Sequence, residues 1–459
     1  MRKKFPLFFF LLSLSSVFAQ NYYMSAPEGF GAAATGGGTP TVSNTVTVST
    51  YATLLTALKS TAVSNSVILV SGTITCDYTS VQLNNKTIIG LPGAKLINTQ
   101  ITPNVNPKIT PRTDLSGILY IKPGSNNVII RNLIFEGPGA FDVDGRDNLT
   151  NEGTNVWVDH CEFQDGEDGN FDNKGDADNV TISWCKFTYL KAPTSGGFGG
   201  SPDHRFSDLI GSASDDFPPT DGRYSITLKN CYWAEGCKAR MPRARNAELH
   251  ILNCYYKTSV SGAAAVGLGA GDKGTTCYVE NCNFEQVSTI SSPVSEGSGT
   301  TVVKFDGCVK GTTSTAVTGL DVGTATKPSY TYTVLPIANV ATYVPNATCG
   351  AGATLQVTSA GVISSSCPNL GVNDNISDLE LKYYPTVVDN LLNIEFSSIE
   401  NGTALIDIFS ANGSKVYTHT KSVTSNEKLE LNIGNLAKGV YICKVQIENR
   451  VKTFKVIKN

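Results

Sequence analysis

A right-handed parallel β-helix carrying a small C-terminal β-sandwich is the fold class that this 459-residue, all-β sequence predicts. Composition points there first: 43 Gly against 3 Met, with Thr, Val, Ser and Asn prominent, disfavours long helices and suits short strands joined by many turns. A β-rich run ending in a cysteine phrase then recurs with a period in the twenties. Finally, from about Leu379 the pattern changes to plain alternation of apolar and polar residues.

In chain order, Met1–Ala19 has the make-up of a secretory signal. Arg2, Lys3 and Lys4 precede the apolar run Phe5–Val17, and Val17-Phe18-Ala19 places small residues at the cleavage site. No later run has the length and apolarity of a membrane span, so an exported, soluble, monomeric chain is expected. The formal net charge of −3 provides no global basic field for nucleic acid or an anionic membrane.

Residues 20–344 are expected to form the coils. The cysteine phrases are Asp159-His160-Cys161-Glu162-Phe163, Ser183-Trp184-Cys185-Lys186-Phe187, Lys229-Asn230-Cys231-Tyr232-Trp233, Leu252-Asn253-Cys254-Tyr255-Tyr256, Glu280-Asn281-Cys282-Asn283-Phe284 and Asp306-Gly307-Cys308-Val309. Leu133 occupies the slot in an earlier copy. The steps between slots are 28, 24, 46, 23, 28 and 26 residues, and the step of 46 fits one coil with an insertion. Equivalent side chains then repeat one rung apart, about 4.8 Å. The cysteines are expected as a buried, unbridged ladder, since side-by-side parallel strands aim their Cβ atoms poorly for disulfides. A second inward ladder follows from the aromatics two residues later. Cys349 and Cys367 lie outside the ladder and are expected to pair.

Residues 345–378, rich in Ala, Ser, Thr, Gly and Asn, read as a linker. Residues 379–459 read as the sandwich, with strands at Leu392–Phe396, Ala404–Phe409, Gly439–Val445 and Thr453–Ile457 and a hairpin signal at Asn412-Gly413. Tyr383-Tyr384-Pro385, the Ile406–Tyr417 block and Leu436-Ala437-Lys438-Gly439-Val440-Tyr441 resemble the C-terminal sorting domain of type IX secretion cargo. The resemblance implies the type IX machinery as a partner and a secreted or cell-surface location. A spacer or carbohydrate-binding module is the alternative, with no aromatic cluster to support it.

The slot also serves as a phase reference for chemistry. Asp144 and Asp147 lie 17 and 14 residues before Cys161, Asp168 and Asp172 lie 17 and 13 before Cys185, and Arg240 lies 14 before Cys254. Shared phase means a shared face. Four carboxylates would converge from adjacent rungs, with an arginine about two rungs further on, roughly 10 Å. Packed carboxylates repel unless a cation joins them, and oxygen ligands without His or Cys favour Ca²⁺. A lone Asp in a turn is solvated; four in phase call for another explanation.

The motifs Asn155-Val156-Trp157-Val158-Asp159-His160, Asp168-Gly169-Asn170-Phe171-Asp172-Asn173-Lys174-Gly175, Asp178–Ser183, Leu209-Ile210-Gly211 and Ala239-Arg240-Met241-Pro242-Arg243-Ala244-Arg245 resemble the pectate lyases of polysaccharide lyase family 1, over roughly Val46–Val334. The resemblance implies calcium-dependent eliminative cleavage of (1→4)-α-D-galacturonan, giving 4,5-unsaturated ends. It implies Asp168 and Asp172 as calcium ligands, and from the Asp142–Asp147 stretch Asp147 and then Asp144. Arg240 would be the catalytic base and Arg245 a substrate-carboxylate ligand, with Lys174 beside them. The family's substrate-binding lysine falls on Phe206, a departure, so Arg205 is expected to supply that charge. Asp159-His160 resembles a structural element beside the site. A β-helix glycoside hydrolase would need a carboxylate pair without the arginine motif. A β-helix adhesin would need neither, and a pectin lyase would not need the aspartates.

Overall fold

The structure, a computed structural model, describes residues 22–364 except 107, 111, 112, 114 and 295, and residues 381–459 except 397–401, 411–414 and 448–449. The expected signal segment, Cys367 and the Asn412-Gly413 turn lie outside the described residues.

A left-handed backbone step turns each strand of the coils into the next. The residue before the cysteine slot adopts it throughout: Asn132 (φ 58°), His160 (47°), Trp184 (50°), Asn230 (56°), Asn253 (52°), Asn281 (48°) and Gly307 (63°). Asn and Gly tolerate this region best, which accounts for their place in the phrase. The turn separates a long strand from a short one, and a loop of variable length leads to a third.

Stacking these coils produces a parallel β-helix with three walls. The first wall has ten strands, among them Thr154–Asp159, Asp178–Ser183, Tyr224–Lys229 and Ala247–Leu252. The second also has ten, including Glu162–Gln164, Lys186–Thr188 and Tyr232–Trp233. The third has eight, including Leu119–Ile121, Leu149–Asn151, Phe171–Asn173, Leu209–Ile210 and Arg243–Ala244. Register aligns Val128, Val156, Val180, Ile226, Leu249 and Cys277 in one inward column. All six are buried.

Both expected ladders are present. Cys161, Cys185, Cys231, Cys254, Cys282 and Cys308 are buried and free. Each thiol donates to a carbonyl of the preceding coil, as from Cys231 to Ile182 (3.4 Å), Cys254 to Leu228 (3.5 Å) and Cys282 to Ile251 (3.4 Å). The aromatics Phe135, Phe163, Phe187, Trp233, Tyr256 and Phe284 stack in sequence, with successive ring centroids 5.0, 5.4, 5.5, 4.6 and 4.4 Å apart. Cys349 is disulfide-bonded.

Helix Tyr51–Lys59, capped by Thr50, buries Leu54, Ala57 and Leu58 against the first coils. At the other end Val309–Lys310 meets Thr315–Ala316 in an antiparallel pair. Residues 345–364, read from composition as linker, are packed: Cys349 and Ala351 join Trp184 and Tyr255 in one cluster, and Leu355 and Val357 join Val67, Leu69 and Ile89 in another. Small and polar residues dominate the composition, but four apolar side chains anchor the segment. No helix among the described residues is long and apolar enough to cross a membrane.

The C-terminal residues form a separate compact unit. Leu381–Tyr384, Leu391–Phe396 and Lys428–Asn432 make a three-stranded sheet, and Val387–Val388, Gly402–Ser410, Lys415–Val423, Gly439–Ile447 and Arg450–Lys458 a five-stranded one. Their inward residues, among them Leu392, Ile394, Ile406, Cys443 and Val456, share one core.

Candidate active site

The third wall and the loops entering it bring the phase-matched residues together. Alternation turns Leu119, Leu149 and Phe171 into the core, so Tyr120, Thr150 and Asp172 form one outward row in register. Leu209 and Arg243 continue the row over the next two coils. Asp147 stands just before this wall in one coil, Asp168 in the next, and Arg240 two coils further on.

Asp147, Asp168 and Asp172 influence one another electrostatically, and Lys174 and Arg240 act on all three. Asp147 and Asp172 are almost fully buried. Asp147 Oδ2 accepts from Thr150 Oγ1 (3.3 Å) and lies 4.0 Å from Lys174 Nζ, whereas its Oδ1 is buried without a partner. A Cβ at Gly169 would stand 2.5 Å from that oxygen and 3.5 Å from Asp172 Oδ1, so only glycine leaves this space open. Burial pushes both carboxyls above the usual carboxylate range; Asp168 adds to the shift at Asp147, and Asp147 adds to the larger one at Asp172. Asp168 goes the other way. Burial raises it, but the N–H of His204 Nδ1 (2.7 Å to Oδ1), then Arg240, outweigh that and hold it low. Lys174 is raised: burial works against its charge, and Asp147 and Asp172 more than offset it.

The other expected residues are placed differently. Asp144 sits exposed on a turn (φ 48°) at the rim. Asp142 accepts the backbone N–H groups of Gly197 (3.0 Å) and Ser201 (3.1 Å), anchoring the insertion that lengthened one coil. Arg205 is bound by Asp203 through two hydrogen bonds of 2.8 and 2.7 Å, and its further interactions are with Cys237 and Glu235. His204 contacts Asp168 and Phe206 contacts Arg240, while the chain turns tightly at Arg205 through the Phe206 N–H to His204 carbonyl bond (2.7 Å). The charge expected from it is not delivered there. Arg245 is buried, ion-paired with Glu296 and donating to the Gly211 carbonyl (2.6 Å). Arg243 Nη2 lies 2.5 Å from the other oxygen of Glu296. Asp159 and His160 are buried in the first wall and paired with Arg131 and Ser183, as a structural element would be.

His204 is the residue that sequence reasoning passed over. It grips Asp168, its Nε2 lies 3.6 Å from Asp142 Oδ1, and its ring packs 5.0 Å from that of Phe206. Its position just upstream of Leu209, in the coil between Asp168 and Arg240, was the available signal. Phe206 carries the Arg240 guanidinium on its face, 4.2 Å from the ring centroid.

Comparison with known proteins supplies context for this geometry. A family model described as pectate lyase matches residues 11–354, and one described as secretion system C-terminal sorting domain matches residues 382–459. The chain is 33% identical over 191 residues to a pectate trisaccharide-lyase of Thermotoga sp. (strain RQ2), covering 39% of this chain and 43% of that one. It is 29% identical over 265 residues to a pectate lyase of Bacillus subtilis (strain 168), covering 48% and 58%. The chain thus spans about half the length of these relatives. In fold it is similar to a mutant Bacillus subtilis pectate lyase (TM-score 0.53, 20% identity, 75% of this chain and 100% of that one). It is likewise similar to a pectate lyase of Paenibacillus sp. 0602 (TM-score 0.54, 18% identity, 73% and 97%).

Proposed function

The chain belongs to the pectate lyase family, and on that premise we propose that it cleaves pectate by calcium-assisted β-elimination, leaving a 4,5-unsaturated galacturonide end. It carries a secretion system sorting domain and is a secreted or cell-surface protein; type IX machinery is the proposed exporter. One observation carries the reading of the reaction. Arg240, with no carboxylate paired to it among the described residues, faces the acidic cluster of Asp147, Asp168 and Asp172.

The donor set suits a hard divalent cation. It offers oxygens only, from carboxylates that repel one another, with Asp147 and Asp172 buried and Asp147 Oδ1 without a partner. Asp147, Asp168 and Asp172 would hold Ca²⁺, with Asp144 at the rim. When bound, Ca²⁺ would draw charge from the substrate carboxylate and make the neighbouring C5 proton more acidic.

A guanidinium nitrogen of Arg240, in its neutral form, takes the C5 proton. The C–H electron pair becomes the C4=C5 double bond, the C4–O bond breaks toward oxygen, and that oxygen takes a proton from solvent. A guanidinium gives up its proton reluctantly, so the reaction is favoured by alkaline conditions. Lys174, beside Asp147, attracts the polyanion.

Polygalacturonate turnover followed by ultraviolet absorbance of the unsaturated product, with and without chelator, tests the reading. Absorbance should rise and chelator should abolish it. A reducing-end increase without absorbance would establish a hydrolase instead, and neither signal an adhesin.

A further inference from the structure

Arginines on and around the coils are tied to carboxylates: Arg131 to Asp159, Arg205 to Asp203, and both Arg243 and Arg245 to Glu296. Arg240 differs. Among the described residues its guanidinium makes no hydrogen bond and no ion pair, and the contact that holds it is the face of Phe206. Both kinds of support attract the charged group, but they differ in what they leave open. A carboxylate fixes a guanidinium through its N–H groups and favours the charged form. An aromatic face restrains its plane and position while leaving every N–H free. A group that must take a proton from substrate is served by the second kind.

Phe206 is itself held in place. Tyr189 Oη donates to its carbonyl (2.5 Å), and its own N–H donates to the His204 carbonyl (2.7 Å). Its backbone bridges in parallel to Ala239, the residue before Arg240. His204 also packs against the ring, at 41°, with Nδ1 on Asp168. Asp168, His204, Phe206 and Arg240 thus form one continuous line of contacts. Arg240 also holds a left-handed backbone conformation (φ 55°), uncommon for a long side chain and kept only where its surroundings enforce it.

We infer that Phe206 is a positioning residue for Arg240: it seats the guanidinium over the acidic cluster without neutralising it, and His204 locks that seat to Asp168. The inference rests on the reading of Arg240 as the base. It also gives a physical reason for an apolar residue where the family resemblance leads one to expect lysine. A lysine here would bring charge to the substrate but would repel Arg240 and remove its seat.

The test compares Phe206→Tyr, Phe206→Leu and Phe206→Lys in the full chain, each checked for parent-like thermal unfolding, by kcat and KM on polygalacturonate with saturating calcium. Phe206→Tyr, which keeps the ring, should stay within about 3-fold of the parent in both constants. Phe206→Leu and Phe206→Lys should each lose at least about 10-fold in kcat, with KM changed less than about 3-fold. A merely structural defect would not split the constants this way, nor be rescued by Tyr. A Leu variant with parent kcat, or a Lys variant with higher kcat/KM, overturns the inference. Parent turnover that survives Arg240→Lys undiminished overturns the underlying assignment of the base instead, and the two failures are told apart by that variant.

Discussion

At Arg240 the question is whether positive charge or proton transfer matters. Arg240→Lys keeps the charge but loses the planar group that Phe206 seats. Electrostatic attraction alone would raise KM and spare kcat. We expect kcat to fall by about 10²–10⁴-fold with KM little changed, as measured by steady-state kinetics on polygalacturonate. Asp172 presents a different balance. Its carboxyl is raised by burial and by Asp147, so the native state binds its proton more tightly than the unfolded chain does. Stability from this source is present at low pH and is lost as pH rises through the folded-state pKa. At neutral pH in chelator Asp172→Asn should therefore unfold at a higher urea concentration than the parent, while calcium stabilises it less and activity needs more calcium. Equilibrium urea unfolding with and without calcium measures both signs. Asp147, Asp168 and Asp172 were legible in the sequence because phase within a coil is a local property. The fate of Arg205 and Arg245 was not. Arg245 meets Glu296, which lies 51 residues downstream, and Arg205 is held by Asp203 beside a tight turn.

At the scale of strands and segments, the coil period, the thiol ladder and the aromatic stack were readable because one phrase repeats them and burial treats each copy alike. What covers the outside of the first wall was not readable, since those segments have no repeat. One of them places Tyr330 against His250. His250 Nδ1 lies 2.7 Å from the Tyr330 hydroxyl and Nε2 lies 3.2 Å from Glu280. Burial, outweighing the attraction of Glu280, lowers His250 to about 4 from 6.5. The unfolded chain thus binds the extra proton first. Stability from this source is whole above pH 6.5 and drains away as pH falls toward 4, by up to about 3 kcal/mol. Urea midpoints measured across that range should drop for the parent, and His250→Gln should flatten the slope.

For the whole molecule, the packed segment after Val344 changes where the catalytic unit ends. A chain of Gln20–Val344 loses Cys349, Ala351, Leu355 and Val357 from two buried clusters, whereas Gln20–Asp378 keeps them. Burial of Leu355 and Val357 alone is worth about 1.5–3 kcal/mol each. The longer truncated chain should match the parent in specific activity and unfolding temperature; the shorter should unfold markedly earlier. An inactive but folded Gln20–Asp378 chain would show that the C-terminal unit takes part in the chemistry. The helix at one end of the coil stack and the antiparallel pair at the other have a consequence for what this molecule avoids becoming. Every coil offers its neighbour a full row of N–H and C=O groups, so a bare terminal coil is a template on which another chain can grow. Leu54, Ala57 and Leu58 plug one such end, and Thr315–Ala316, running against the grain of the stack, occupies part of the other. A fold built by repetition thereby has ends that differ from its middle, and fewer open edge groups on which a second copy could stack.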